Sequence, residues 1–257
     1  MKEFDHTSGE YLETDGAKIY FEQTGKPGGP VLLLLHGGFG SMNDFDVILE
    51  ELSETYKIIG VDSRGQGKST MGKVAISYEQ IQKDVLKILG HLNINKLSVI
   101  GFSDGGIVAY RLAALGDLHI EKLVTISSRW NIKDALLTKD MFLAITPENY
   151  REEFPKAYET YQKLNPAADF DNLTGRLVKM WLDPGPGGYL NEGLKSIRCP
   201  LLIVRGDDDV ILTRNSVVEI ANLIEGSSLL NIPFATHPAF KQQKELFMIS
   251  LLQFLKS

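Results

Sequence analysis

Short stretches with an apolar core punctuate the chain. Val31 to Leu35, Tyr56 to Val61, Leu97 to Phe102, Glu121 to Ser127 and Pro200 to Arg205 are rich in Leu, Ile and Val. Runs of this length predict strands buried on both faces, as in a sheet covered by helices on each side. The segments between them change period. Ser77 with Gln80 forms a capping box, and Ile81, Val85, Ile88 and Leu92 then recur at helical spacing. Asp44 to Ser53 and Arg214 to Leu223 also read as helices, and Ser228 to Ile232 as a last short strand. Pro238 suits the first turn of a closing helix that ends near Leu255. Near the start, Tyr11 to Gln23 alternates apolar and polar positions around Asp15-Gly16, the pattern of a hairpin. Strands alternating with helices predict an α/β fold: a mostly parallel central sheet with helices on both faces.

Arg129 to Leu190 breaks this rhythm. It is rich in Tyr, Phe, Lys and Glu and ends in the turning sequence DPGPGGY. About 60 residues without a central strand are too many for an ordinary connection, so an inserted helical layer is expected. The predicted organisation is a core made of 1–128 and 191–257, interrupted by a helical insertion at 129–190. No repeats or low-complexity tracts are visible.

Composition narrows the function classes. A chain of 257 residues can bury a substantial core. The formal net charge of -6 offers no basic field for a phosphate backbone, which argues against nucleic-acid binding. The single cysteine, Cys199, cannot form an internal disulfide, which suits a reducing compartment, and it reads as a small buried residue. Met1 to Glu10 carries mixed charge without an apolar segment, and no apolar run approaches the roughly 20 residues of a membrane span. A cytoplasmic location is the resulting expectation.

The chemistry gathers at Leu97 to Ala109, LSVIGFSDGGIVA. A bare GxSxG arises by accident in roughly one chain in ten of this size, so the flanks decide. Here an apolar strand leads in and a good helix leads out. A strand-to-helix turn this tight needs Gly101 and Gly105, and it lifts the Ser103 hydroxyl above the end of the sheet. Ser103 is therefore read as a nucleophile. Asp104 follows it. A carboxylate there opposes a developing oxyanion unless it turns away, although the first turn of a helix favours it by about 0.3–1 kcal/mol. One reading of Asp104 is a helix-start residue; another is a bias of the pocket toward neutral or cationic substrates.

A serine hydroxyl needs a base and a group to orient that base. His6 lies in the polar N-terminal stretch, His91 and His119 near expected helix ends, and His36 at the end of a buried strand, where a structural role is expected. His237, in the loop after the last strand, remains. RGDDDV after the strand LLIV offers Asp207, Asp208 and Asp209 as the acid. They cannot all be buried and charged, so one is expected to face His237 and the others solvent. GKST at Gly67 to Thr70 lacks the first glycine of a phosphate loop, since Asp62 stands there, so nucleotide binding is not expected. Asp62 and Arg64 are expected to form a structural ion pair beside the elbow.

HGGFGS at His36 to Ser41, DSRGQGKS at Asp62 to Ser69, GFSDGG and GDDDV together resemble the α/β-hydrolase-fold serine hydrolases. The chain order Ser, Asp, His is that family's order. The resemblance implies Asp209 as the acid, with Asp207 as the fallback. It implies an oxyanion hole of the Gly38 and Asp104 backbone N–H groups, with Phe39 as an alternative donor. It also implies that 129–190 is a lid, whose Phe142, Tyr150, Phe154, Tyr158, Tyr161 and Trp181, together with Phe39, line a pocket for a substrate with an apolar portion. Thr236 stands where the family often has Gly, and Phe39 where it often has Pro. The implied activity is cleavage of a small carboxylic ester through an acyl-enzyme, with no metal or cofactor. Two alternatives share these residues: hydrolysis of a carbon–carbon bond in a dienoic diketone, and a small-molecule sensor on the same fold. Ser rather than Asp at the elbow disfavours a haloalkane dehalogenase.

Overall fold

The computed structural model describes residues 2–257. An eight-stranded sheet runs through it in the order β1-β2-β4-β3-β5-β6-β7-β8. The hairpin β1 (Glu10–Thr14) and β2 (Ala17–Gly25) turns at Asp15-Gly16, and β2 pairs antiparallel with β4 (Lys57–Val61). From β4 onward every neighbour is parallel: β3 (Val31–Leu35), β5 (Lys96–Phe102), β6 (His119–Ile126), β7 (Leu201–Gly206) and β8 (Ser228–Ile232). The central strands are buried along nearly their whole length, as their mostly apolar sequences require.

Both faces of the sheet are covered. On one side lie α1 (Asp46–Ser53) and α11 (Lys244–Lys256), which reach the core through Ile48, Leu49, Phe247 and Leu251. On the other lie α2 (Tyr78–His91), α3 (Asp104–Leu115) and α9 (Arg214–Leu223). The capping box at the start of α2 is present, with the Ser77 hydroxyl accepting from the Gln80 amide at 3.1 Å. Between β6 and β7 the chain forms five α-helices, a 3-10 turn at Asn191–Ser196 and no strand: α4 (Ile132–Leu137), α5 (Lys139–Leu143), α6 (Pro147–Glu153), α7 (Pro155–Leu164) and α8 (Phe170–Trp181). The DPGPGGY segment that follows is tied to the core by Arg111, which donates to the carbonyls of Pro186 and Gly188. The closing helix is split, with α10 (Ala239–Gln242) preceding α11.

Several local expectations change in three dimensions. The helix expected from Asp44 begins as a 3-10 turn at Met42–Phe45, and β6 starts at His119, so that histidine is an exposed strand residue instead of a helix-end one. His6 is buried, with Nε2 2.9 Å from Asp62 Oδ2. Asp62 and Arg64 do not pair with each other. Asp62 accepts from the Met42 and Lys68 amides and faces His6, whereas Arg64 donates to both oxygens of Asp84 on α2 at 2.6 and 2.8 Å. Sequence neighbours on opposite sides of a turn commonly diverge, and here each finds its partner across the fold.

The Arg64 and Asp84 side chains are 0% and 2% exposed. Removing one charge leaves the other buried without a counter-ion, which costs about 3–5 kcal/mol. Asp84→Asn is therefore expected to lower the urea midpoint markedly, and an Arg64→Met, Asp84→Leu double variant to recover much of the loss. Equal stabilities for wild type and Asp84→Asn would remove the pair from the account of this fold.

Candidate active site

The carboxyl ends of the parallel strands are stitched together by backbone hydrogen bonds that continue past the sheet. Ser103 N donates to Ile126 O at 2.8 Å, Ser127 N to Val204 O at 2.8 Å, Asp207 N to Ile232 O at 2.8 Å and Asp208 N to Ala235 O at 2.9 Å. The loops after β5, β6, β7 and β8 thus share one rim, the usual place for chemistry in open α/β sheets.

At that rim the tight turn after β5 puts Ser103 at φ 50, ψ -115, a left-handed conformation unusual for a residue with a side chain. Gly101 and Gly105 make the turn possible. A Cβ at 101 would strike the Gly105 carbonyl, and one at 105 would strike the Leu35 carbonyl on β3. Ser103 Oγ lies 2.9 Å from His237 Nε2, and His237 Nδ1 lies 3.0 Å from Asp209 Oδ2. The His237 loop is held by the Ser127 hydroxyl, which donates to the His237 carbonyl at 2.7 Å.

The loop after β7 selects among its three aspartates. Buried Arg205 donates to the carbonyls of Asp207, Asp209 and Leu212, so one guanidinium shapes the turn. Asp209 Oδ1 accepts from the amides of Ile211 and Leu212, leaving Oδ2 for His237. Asp207 instead pairs with Arg214 and Asn231, and Asp208 is exposed. Burial pushes the Asp209 carboxyl up, but the hydrogen bond and field of His237 and the two loop amides outweigh it and hold Asp209 below the ordinary 3.8.

That depression has a pH consequence. In the unfolded chain an aspartate takes up its proton near pH ~3.9, above the folded value. The stabilisation from ionised Asp209 is complete above that pH and is lost as pH falls through the folded value. Urea unfolding of wild type and Asp209→Asn at a series of pH values is expected to show a stability gap at neutral pH that closes on acidification. A gap independent of pH would contradict an ionised Asp209.

The Gly38, Phe39 and Asp104 backbone N–H groups make no hydrogen bond to a protein acceptor among the described residues. All three residues line one cavity of about 810 Å³ together with Ser103 and His237. Phe39 adopts φ 58, which proline cannot, and its ring packs 4.3 Å from Tyr150 and 5.5 Å from Trp181. Its conformation and its departure from the family's usual residue therefore go together. His36 does not reach this group: Nδ1 donates to Gly37 O and Nε2 accepts from Ser63 N.

Asp104 is buried and turned away from the serine. Its carboxylate accepts from the Trp181 indole N–H at 2.9 and 3.0 Å and from the Tyr78 hydroxyl at 2.8 Å. Burial raises its pKa, and those two donors together with the field of Arg129 partly offset the rise. Trp181 ends α8, so Asp104 links α8 to the start of α3.

Of the aromatic residues expected at the pocket, Phe142, Tyr150, Phe154 and Trp181 line the cavity. Tyr158 does not. It turns instead onto Phe170, edge to face at 5.1 Å, beneath the Arg151 guanidinium. Tyr161 also packs on Phe170 and borders a separate, smaller cavity. Sequence reasoning missed Tyr78, Ile107, Arg129 and Tyr189 in the main cavity wall. Arg129 carried a signal: it lies just beyond the end of β6, on the rim that holds Ser103 and the aspartate loop.

The family model for the alpha/beta hydrolase fold matches residues 30–179, and the chain belongs to that family. It is an enzyme of the hydrolase type. A provisionally named esterase/lipase of Haemophilus influenzae is 33% identical over 132 residues, 49% of this chain and 46% of its own length. The chain thus spans about half of that relative. A human serine hydrolase, BPHL, is 28% identical across 88% of this chain and 79% of its own. Among solved structures, an esterase of Exiguobacterium antarcticum superposes with a TM-score of 0.78 at 24% identity, covering 97% of this chain and 100% of that one.

Proposed function

We propose that the protein is a serine hydrolase that cleaves a small carboxylic ester through an acyl-enzyme on Ser103. The observation that supports this most is the line Asp209, His237, Ser103, with spacings of 3.0 and 2.9 Å at the floor of a largely apolar cavity. His237 Nε2 takes the proton of Ser103 Oγ as the oxygen attacks the ester carbonyl, and Asp209 keeps Nδ1 protonated and offsets the imidazolium charge. Collapse of the tetrahedral intermediate expels the alcohol, which receives that proton. Water then enters by the same route and releases the carboxylic acid.

The Gly38 and Asp104 amides are the proposed oxyanion donors, with Phe39 as the neighbouring alternative; their lack of protein acceptors supports the role. The Asp104 carboxylate, drawn off by Trp181 and Tyr78, does not oppose them at close range. We assign 129–190 as a lid over the core formed by 1–128 and 191–257. Its Phe142, Tyr150 and Trp181 would hold an apolar portion of the substrate. The names of the human serine hydrolase and the H. influenzae esterase/lipase are in keeping with this reading.

A fluorophosphonate probe followed by peptide mass spectrometry, then turnover on a panel of short esters, tests the proposal. Labelling at Ser103 with ester turnover is expected. Labelling without turnover on any ester would turn the reading toward a ligand sensor, and no labelling at all would end it.

A further inference from the structure

Arg129 is 4% exposed and lines the same cavity as Ser103 and His237. A guanidinium taken out of water is expensive unless a carboxylate accompanies it, yet among the described residues no carboxylate oxygen lies within 4.0 Å of Arg129. Two of its five N–H groups have protein acceptors: Nε donates to the Ile211 carbonyl at 3.2 Å and Nη2 to the Thr138 hydroxyl at 2.6 Å. Its flat face lies 4.3 Å from the centre of the Phe142 ring. Its field acts on Asp104, occupied by Trp181 and Tyr78, on Asp134, which accepts from Ser216, and on the neighbouring Tyr189 phenol, whose hydroxyl donates to the Trp181 carbonyl. The guanidinium is therefore fixed in position by neutral groups, retains unused donors and has no carboxylate in contact with it at the wall of the reaction cavity.

We infer that Arg129 binds a carboxylate carried by the substrate, so that the preferred ester bears a second, anionic group at the far end of its apolar portion. This inference rests on the hydrolase reading above. A carboxylate entering the cavity gains charge-assisted hydrogen bonds from the free N–H groups and supplies the direct ion pair that the fold does not make. Asp104 does not compete for this role, because its oxygens already have donors. The cavity then reverses the preference for neutral or cationic substrates that the Asp104 side chain suggests from sequence.

The test uses ethyl esters of one acyl chain ending in a carboxylate, a carboxamide or an ammonium group, in several chain lengths. Wild type is expected to favour the carboxylate over the carboxamide in kcat/KM by on the order of tenfold or more at the best length, with the ammonium ester poorest. Arg129→Met should abolish that preference, bringing the carboxylate and carboxamide esters to within about threefold of each other in kcat/KM. Arg129→Lys, which keeps the charge without the planar fork, should retain the order with a smaller span. Wild type that ranks the ammonium ester first, or Arg129→Met that keeps the wild-type order, overturns the inference. If Arg129→Met does not fold, wild type alone decides: the free dicarboxylate should raise its melting temperature more than the matching diamide, and equal shifts overturn the inference. Fluorophosphonate labelling of Ser103 separates the two levels. An unlabelled wild type counts against the nucleophile, whereas normal labelling without a carboxylate preference counts against Arg129 alone.

Discussion

Ser103→Ala is expected to lower kcat/KM on the best ester of the panel by roughly 10⁴- to 10⁶-fold while leaving the melting temperature nearly unchanged. Removing the Oγ atom deletes one hydrogen bond, to His237, at a half-buried position; the strained turn is held by the backbone bond to Ile126 and by the glycines around it. His237→Ala should cost a similar factor, and the double variant little more than either single one, because residues that act as a unit do not contribute additively. Steady-state kinetics on the three variants, with circular dichroism to check folding, decides the matter. A loss below tenfold for Ser103→Ala would refute the nucleophile, and losses that multiply in the double variant would mean that Ser103 and His237 act separately.

Gly105→Ala is the substitution expected to damage the fold most for the fewest added atoms. Its Cβ would collide with the backbone carbonyls of Leu35, the last residue of the central strand β3, and of His36 just after it, which cannot swing aside as a side chain can. Overpacking against a rigid backbone costs on the order of 3 kcal/mol or more, equivalent to a fall of about 10 °C in melting temperature for a chain of this size. Any elbow that survives would carry Ser103 displaced from His237, so activity should fall further than stability. Gly90→Ala provides the contrast. Gly90 lies in the last turns of α2 with open space where a Cβ would go, and alanine there should raise stability by about 0.5–1 kcal/mol through helix propensity. Thermal melts of both variants test the argument, and equal shifts in the same direction would sink it.

How far the fold was legible follows from which forces are local. A strand buried on both faces is apolar at nearly every position, so Val31–Leu35 and the LLIV that opens Leu201–Gly206 announce themselves. A strand whose edges are polar does not, and β6 began two residues before its expected start. The capping box fixed the beginning of α2, but no comparable signal separated the 3-10 turn at Met42–Phe45 from α1, because both share the same apolar spacing.

The amino-acid order by itself determined the alternation of strand and helix, the need for glycine on both sides of Ser103, and a short set of residues with suitable chemistry. These depend on periodicity, backbone freedom and the reactivity of side chains, all of which are properties of neighbouring positions. Tertiary structure alone decided the pairings. It sent Arg64 to Asp84 rather than to Asp62, buried His6, turned Asp104 toward Trp181 and Tyr78, and moved Tyr158 off the cavity wall. It also left Arg129 in the cavity wall with no carboxylate in contact. A charge or ring settles on whichever partner the packing brings within a few ångströms, and that distance is a product of the whole chain's folding.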